Sequence, residues 1–165
     1  IADHGMTILS QREGMKFDTP LKSDCASVAG LTQQLLRETS GVKFMRDPTR
    51  GGLAATLNEI SKETGLSLAI NQSDIPVDPT VQAAADMLGL DVLTVANEGK
   101  FVAVVCPETA QKCLDICRKD PLGQKANIIG EVVETVDVPM VEMSTLIGGR
   151  RIVQMPYGRE LPRIC

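Results

Sequence analysis

A few short stretches hold the residue types that can do chemistry, and one of them is the chain's last residue. Cys165 follows Leu161-Pro162-Arg163-Ile164. A thiol on a Pro-containing, extended end has little to pack against, and its thiolate can reach into another centre as a tethered nucleophile. The alternatives are an accidental exposed thiol or a lipidation tag. A prenylation signal needs its cysteine four from the end, so that version fails. Asn97-Glu98-Gly99-Lys100 lies between two apolar runs. There a carboxylate held at the mouth of a sheet can act as a general base. The plainer reading is a hairpin turn with a surface Glu and Lys. Asp47-Pro48-Thr49-Arg50-Gly51-Gly52 reads as a turn feeding a helix. Its glycines let backbone N–H groups approach an anion at the helix N-terminus, and Arg50 can clamp that anion bidentately. The competing reading is a tight turn capped by Asp47.

The remaining candidates carry weaker signals. Cys106, Cys113 and Cys117 fall on a strand end and the following helix, the last two on one helix face. A metal site would need further ligands at suitable spacing, and the only histidine is His4, so packing is the reading and no metal is expected. Cys25, in Ser23-Asp24-Cys25-Ala26, is placed in the first turn of a helix, where the dipole lowers a thiol pKa. Buried packing is the favoured reading of this cysteine. His4 is a candidate site residue because it is the sole imidazole, against the commoner structural role of a lone histidine.

The elements that must position these residues alternate along the chain. Residues 1–20 read as a short helix and a loop, a connection from an upstream domain. Ser23 or Asp24 caps a helix to about Thr39, ended by Gly41. Val42–Met45 reads as a strand, and Leu53, Leu57 and Ile60 define one face of a helix closed by Gly65. Leu66–Ile70 is a strand, and Asp78-Pro79 opens a helix that stops at Gly89. Strands are expected at 91–96, 101–106, 126–133, 139–143 and 151–155, with a helix from Pro107 to about Lys119 between the second and third of these. This pattern predicts an α+β fold, an α/β sandwich whose mixed sheet is covered by helices on one face. Residues 21–155 form the domain, and 156–165 form a mobile tail.

Composition narrows the functions. The chain carries 17 basic and 21 acidic side chains for a net charge of −4, which argues against a nucleic-acid partner. Aromatic residues are 2%, so stacking on bases or sugars is a poor fit and the core must be aliphatic. No apolar run approaches the roughly 20 residues of a membrane span, and no secretory signal opens the sequence. Five cysteines without a CxxC pair fit a reduced, cytoplasmic protein. The abrupt start without Met reads as a piece of a longer chain.

Three motifs together carry a resemblance: Arg46-Asp47-Pro48-Thr49-Arg50-Gly51-Gly52-Leu53-Ala54, Ala96-Asn97-Glu98-Gly99-Lys100, and Ile129-Gly130-Glu131-Val132. They resemble the C-terminal domain of the aminoimidazole ribonucleotide (AIR) synthetase superfamily, which includes selenophosphate synthetase and thiamine monophosphate kinase. Within it, Pro162-Arg163-Ile164-Cys165, Asp3-His4-Gly5 and Ser23-Asp24-Cys25-Ala26 are similar to the HypE family of hydrogenase maturation proteins. That resemblance implies an AIR synthase-like fold. It also implies an ATP-dependent dehydration of a carbamoyl group, carried on Cys165, to a thiocyanate that supplies cyanide ligands to nickel–iron hydrogenase. HypF is implied as carbamoyl donor, the HypC–HypD complex as cyanide acceptor, and a homodimer as the full-length state. Glu98 is the candidate base. Asp47, Thr49, Arg50, Gly51, Gly52, Asn97 and Lys100 are candidates to hold phosphate or substrate. ATP and Mg2+ are implied to bind mainly to an N-terminal domain outside this sequence, so the chain alone is expected to be inactive. The alternatives are a selenophosphate synthetase-like sibling, which has no need of a terminal thiol, and a non-catalytic docking module.

Overall fold

A computed structural model of the chain describes residues 1–15, 21–135 and 137–157. Helix α1 (Asp3–Arg12) and helix α2 (Ala29–Glu38) lead into strand β1 (Val42–Arg46) and helix α3 (Gly52–Thr64). Strand β2 (Ser67–Asn71), helix α4 (Pro79–Leu88), strand β3 (Val102–Val105) and helix α5 (Pro107–Lys119) follow. Strands β4 (Gly130–Val133), β5 (Val141–Ser144) and β6 (Arg150–Ile152) complete the described elements. The strands form two sheets. One is the antiparallel pair β1–β3; the other has the order β4-β2-β5-β6, with β2 parallel to β5 and antiparallel to β4. The expected mixed sheet with helical cover is therefore present, and it is divided.

The core follows the periodicities of its elements. Leu68 and Ile70 alternate inward on β2, as do Val141 and Met143 on β5. They meet Leu53, Leu57 and Ile60, one face of α3. Each such aliphatic side chain contributes roughly 2 kcal/mol on burial. A second cluster joins Ala2 and Met6 at the start of the chain to Val81, Ala84 and Ala85 of α4 and to Val95. Helix α1 thus shares a core with α4. A third places Leu35 of α2 against Cys113 and Ile116 of α5, with Cys117 partly buried beside them, so Cys113 and Cys117 pack as small apolar residues. Helix α4 keeps the predicted ends: Asp78 Oδ1 accepts from Thr80 N at 2.9 Å, Pro79 opens the first turn, and Gly89 closes it at φ 66°.

Several predicted boundaries move. Helix α2 begins at Ala29, not at Ser23 or Asp24. Both would-be caps are spent elsewhere: Ser23 Oγ lies 2.8 Å from His4 Nδ1, and Asp24 pairs with Lys100. Cys25 therefore sits exposed in an irregular segment ahead of the helix, with neither the buried packing nor the dipole placement expected of it. Residues 91–96 are not a strand. Asp91 Oδ1 accepts from Leu93 N at 2.9 Å and the Asp91 carbonyl accepts from Thr94 N, so the segment turns on itself. Its alternating Leu93 and Val95 are buried against helices, an apolar pattern that serves a core loop. Asn97–Lys100 is consequently no hairpin. The strands expected at 126–133 and 151–155 shorten to β4 and β6. Lys16–Pro20, Val136 and Gly158–Cys165, and with them Cys165, lie outside the described residues.

Candidate functional site

Four segments far apart in sequence meet at one place: the start of α1, the irregular segment 21–28, the turn 47–52 ahead of α3, and the loop 96–100. Asn97 is their staple. It is 0% exposed, and its Oδ1 accepts from Ala2 N at 2.7 Å. Its Nδ2 donates to the carbonyls of Pro48 at 3.2 Å and Val95 at 3.0 Å. Its backbone N–H also donates to Pro48 O. Three of the four hydrogen bonds an amide side chain can make are therefore spent inside the fold. The bond to Ala2 holds a strained residue, since Ala2 has φ 71°, a left-handed value unfavourable for a side chain.

Around this staple the contacts are close. Gly5 N donates to Ala96 O at 3.1 Å. Ala54 N, in the first turn of α3, donates to Leu93 O at 2.8 Å. Gly52 has φ 61°, and a Cβ there would stand 2.5 Å from the carbonyl oxygens of Leu93 and Val95. Glycine is required at that position by conformation and by space. The cap of α3 is Gly51, with no side-chain cap bond, so Asp47 does not cap the helix.

The charged residues divide into two kinds. Lys100 Nζ lies 2.7 Å from Asp3 Oδ2 and 2.5 Å from Asp24 Oδ2. Burial pushes the Asp3 carboxyl up, but the hydrogen bond and charge of Lys100 outweigh it and hold the group below its ordinary value. Lys100, grouped by sequence with the phosphate-holding residues, thus has its charge compensated within the fold. Asn97 is likewise occupied internally. Glu98 differs. Its backbone N–H donates to Asp24 Oδ1 at 3.4 Å, while its half-buried carboxylate has no hydrogen bond or ion pair among the described residues. Asp47 and Arg50 are exposed and Thr49 is half-buried, on a turn held at Pro48 by Asn97, and their side chains have no hydrogen bond or ion pair among the described residues. His4 is tied through Nδ1 to Ser23, and its Nε2 is buried with no partner among the described residues.

The end of the chain passes this turn. Asn58 Nδ2 holds the carbonyl of Val153 at 2.9 Å, and a Cβ added at Gly51 would stand 3.5 Å from Pro156 Cγ. The chain therefore leaves β6 beside Gly51.

Sequence reasoning assigned no role to Asp3 and only a helix-capping role to Ser23 or Asp24, although the motifs containing them were recognised. Lys100 reaches Asp3 across 97 positions and Asp24 across 76, separations that a single sequence does not pair.

Comparison with known proteins places this geometry. The profile described as "AIR synthase related protein, C-terminal domain" matches residues 1–141. The chain is 48% identical over 165 residues to the carbamoyl dehydratase HypE of Cupriavidus necator, covering 100% of this chain and 47% of that protein. It is 41% identical over 165 residues to the carbamoyl dehydratase HypE of Escherichia coli, covering 100% of this chain and 48% of that protein. The chain spans about half the length of the curated relatives it matches. A hydrogenase maturation protein HypE crystallised in complex with ATP superposes with a TM-score of 0.95 at 39% identity, over 100% of this chain and 50% of that one. HypE in a HypE–HypF complex superposes at 0.89 with 43% identity, over 94% of this chain and 50% of that one.

Proposed function

The chain belongs to the AIR synthase related protein family, as its C-terminal domain, and on that premise we propose that it is the second half of a carbamoyl dehydratase of the HypE kind. The observation that carries the reading is Glu98: a half-buried carboxylate without a partner among the described residues, on a backbone pinned from both sides. Structure that immobilises a charged group while leaving its charge unused is structure prepared for a visitor.

In this reading Cys165 is the acceptor. Its thiolate attacks an activated carbamoyl group supplied by HypF, the bond from the carbamoyl carbon to its activating group breaks, that group leaves with the electron pair, and a thiocarboxamide forms. ATP then phosphorylates the carbonyl oxygen, making it a leaving group. Phosphate departs with that oxygen, both N–H protons are lost, and the carbon keeps nitrogen in a triple bond as thiocyanate. One thiocarboxamide and one ATP thus become one thiocyanate, ADP and phosphate. Glu98 takes a proton from the nitrogen as the C–O bond breaks. Arg50 and Thr49, on the turn that the departing chain passes, hold the phosphate or guide the tail. From Pro156 to Cys165 nine residues extend at most about 30 Å, enough to reach a neighbouring centre.

ATP, with Mg2+, is bound mainly by the half of the full-length protein outside this chain. That a HypE has been crystallised with ATP, and another with HypF, supports ATP as a ligand and HypF as a partner of the full-length protein. The HypC–HypD complex is the proposed cyanide acceptor, a homodimer the proposed full-length state, and the cytoplasm the proposed location. Among the described residues no helix is long and apolar enough to cross a membrane.

The test uses the full-length protein with HypF, carbamoyl phosphate and ATP, followed by intact mass spectrometry and peptide mapping. A carbamoyl group should load on Cys165 and convert to a nitrile. Cys165→Ser should block loading. Glu98→Gln should load normally and stop at the thiocarboxamide. Loading of Cys165→Ser, or normal conversion by Glu98→Gln, would sink the reading.

A further inference from the structure

Resting on the reading of Glu98 as the base, we propose that Asp24, Lys100 and Asp3 form the positioning device that sets the orientation of Glu98. None of the three is asked to touch the substrate; they act through Glu98.

The grip on Glu98 starts from Asp24, whose side chain is 10% exposed. Its Oδ1 accepts from the Glu98 N–H at 3.4 Å, and its Oδ2 meets Lys100 Nζ at 2.5 Å. One carboxylate therefore grips the loop at residue 98 and at residue 100. Between them Gly99 is pressed against the same segment: a Cβ there would stand 1.7 Å from the Asp24 carbonyl oxygen and 2.8 Å from Ala26 N. The peptide joining Glu98 to Gly99 has no room to turn. Lys100 then carries the grip onward to α1 through Asp3 at 2.7 Å. Three separate segments are locked by one ammonium and two carboxylates, and the residue they enclose is the one whose own carboxylate is left free.

The experiment follows single-turnover conversion of the carbamoylated full-length protein after ATP addition. Asp24→Ala removes both the acceptor for the Glu98 N–H and the partner of Lys100, and should slow conversion about tenfold. Asp24→Asn keeps an oxygen for the Glu98 N–H and should recover most of that loss. Asp3→Asn, which loosens only the far end of the bridge, should slow conversion less than Asp24→Ala. Normal carbamoyl loading of Cys165 shows that a variant is folded. Conversion by Asp24→Ala at the unaltered rate, or by Asp24→Asn as slowly as by Asp24→Ala, overturns the device. Glu98→Gln separates the two failures. If it stops at the thiocarboxamide while Asp24→Ala converts normally, only the device falls. If it converts as well as the unaltered protein, the base reading falls and takes the device with it.

Discussion

Replacing Asn97 by Ala tests the claim that one buried amide holds the candidate site together. The side chain makes three hydrogen bonds at 0% exposure: from Ala2 N, and to the carbonyls of Pro48 and Val95. Pro48 O keeps the bond from the Asn97 backbone N–H after truncation. The Ala2 N–H and the Val95 carbonyl lose a partner that they have in the intact fold. A buried polar group deprived of its partner costs about 1–3 kcal/mol, so the substitution should cost about 2–5 kcal/mol in all. That is a large part of the roughly 5–15 kcal/mol that holds a domain folded. The assay is urea denaturation followed by far-UV circular dichroism, with the midpoint read at constant slope. Asn97→Asp sharpens the test. It retains Oδ1 for Ala2 but turns a second, charged oxygen toward two carbonyls, so it should be worse than Asn97→Ala at neutral pH. It should recover partly in acid, where a protonated carboxyl can donate one bond. A cost below about 0.5 kcal/mol for Asn97→Ala, the range of an ordinary surface change, would refute the staple argument.

Three further outcomes can be measured directly. Gly52→Ala should cost more than Gly89→Ala in the same denaturation assay: both have positive φ, worth roughly 1 kcal/mol, but only at Gly52 would the new Cβ strike two carbonyls at 2.5 Å. The Asp3 carboxyl is held low in the folded protein, so its contribution to stability is present above its ordinary unfolded value, roughly 3.9, and is lost as pH falls through the lower folded value. Asp3→Asn should therefore be less stable at neutral pH and show a flatter acid limb of stability against pH; an unchanged limb would contradict the pairing. Iodoacetamide at mildly alkaline pH should label Cys25, which is exposed, well before Cys113, which is buried, and Cys117, whose thiol is pushed up by burial and by its neighbours Cys113 and Asp120. Peptide mapping over time reads the order.

The sequence by itself determined what local rules can encode. The apolar spacing of α3, the Asp78-Pro79 start and Gly89 stop of α4, and the Pro107 start of α5 were all readable, because helix periodicity and capping act within a few residues. The motifs that carry family membership were readable too, as was the aliphatic character of the core. Periodicity misread residues 91–96, where buried alternation in a loop imitates a strand, and it misplaced the start of α2, where Ser23 and Asp24 looked like caps. Tertiary structure decided which of the two uses each polar side chain would have. Asp24 could have capped a helix, Lys100 could have met a phosphate, and Asn97 could have turned a hairpin. Each was claimed instead by a partner 74 to 97 positions away. Such contacts depend on where the packed core brings separate segments together, and a pattern confined to neighbouring residues holds no record of that. The same packing left Glu98 and Arg50 unclaimed among the described residues, and only three dimensions could tell them apart from Lys100.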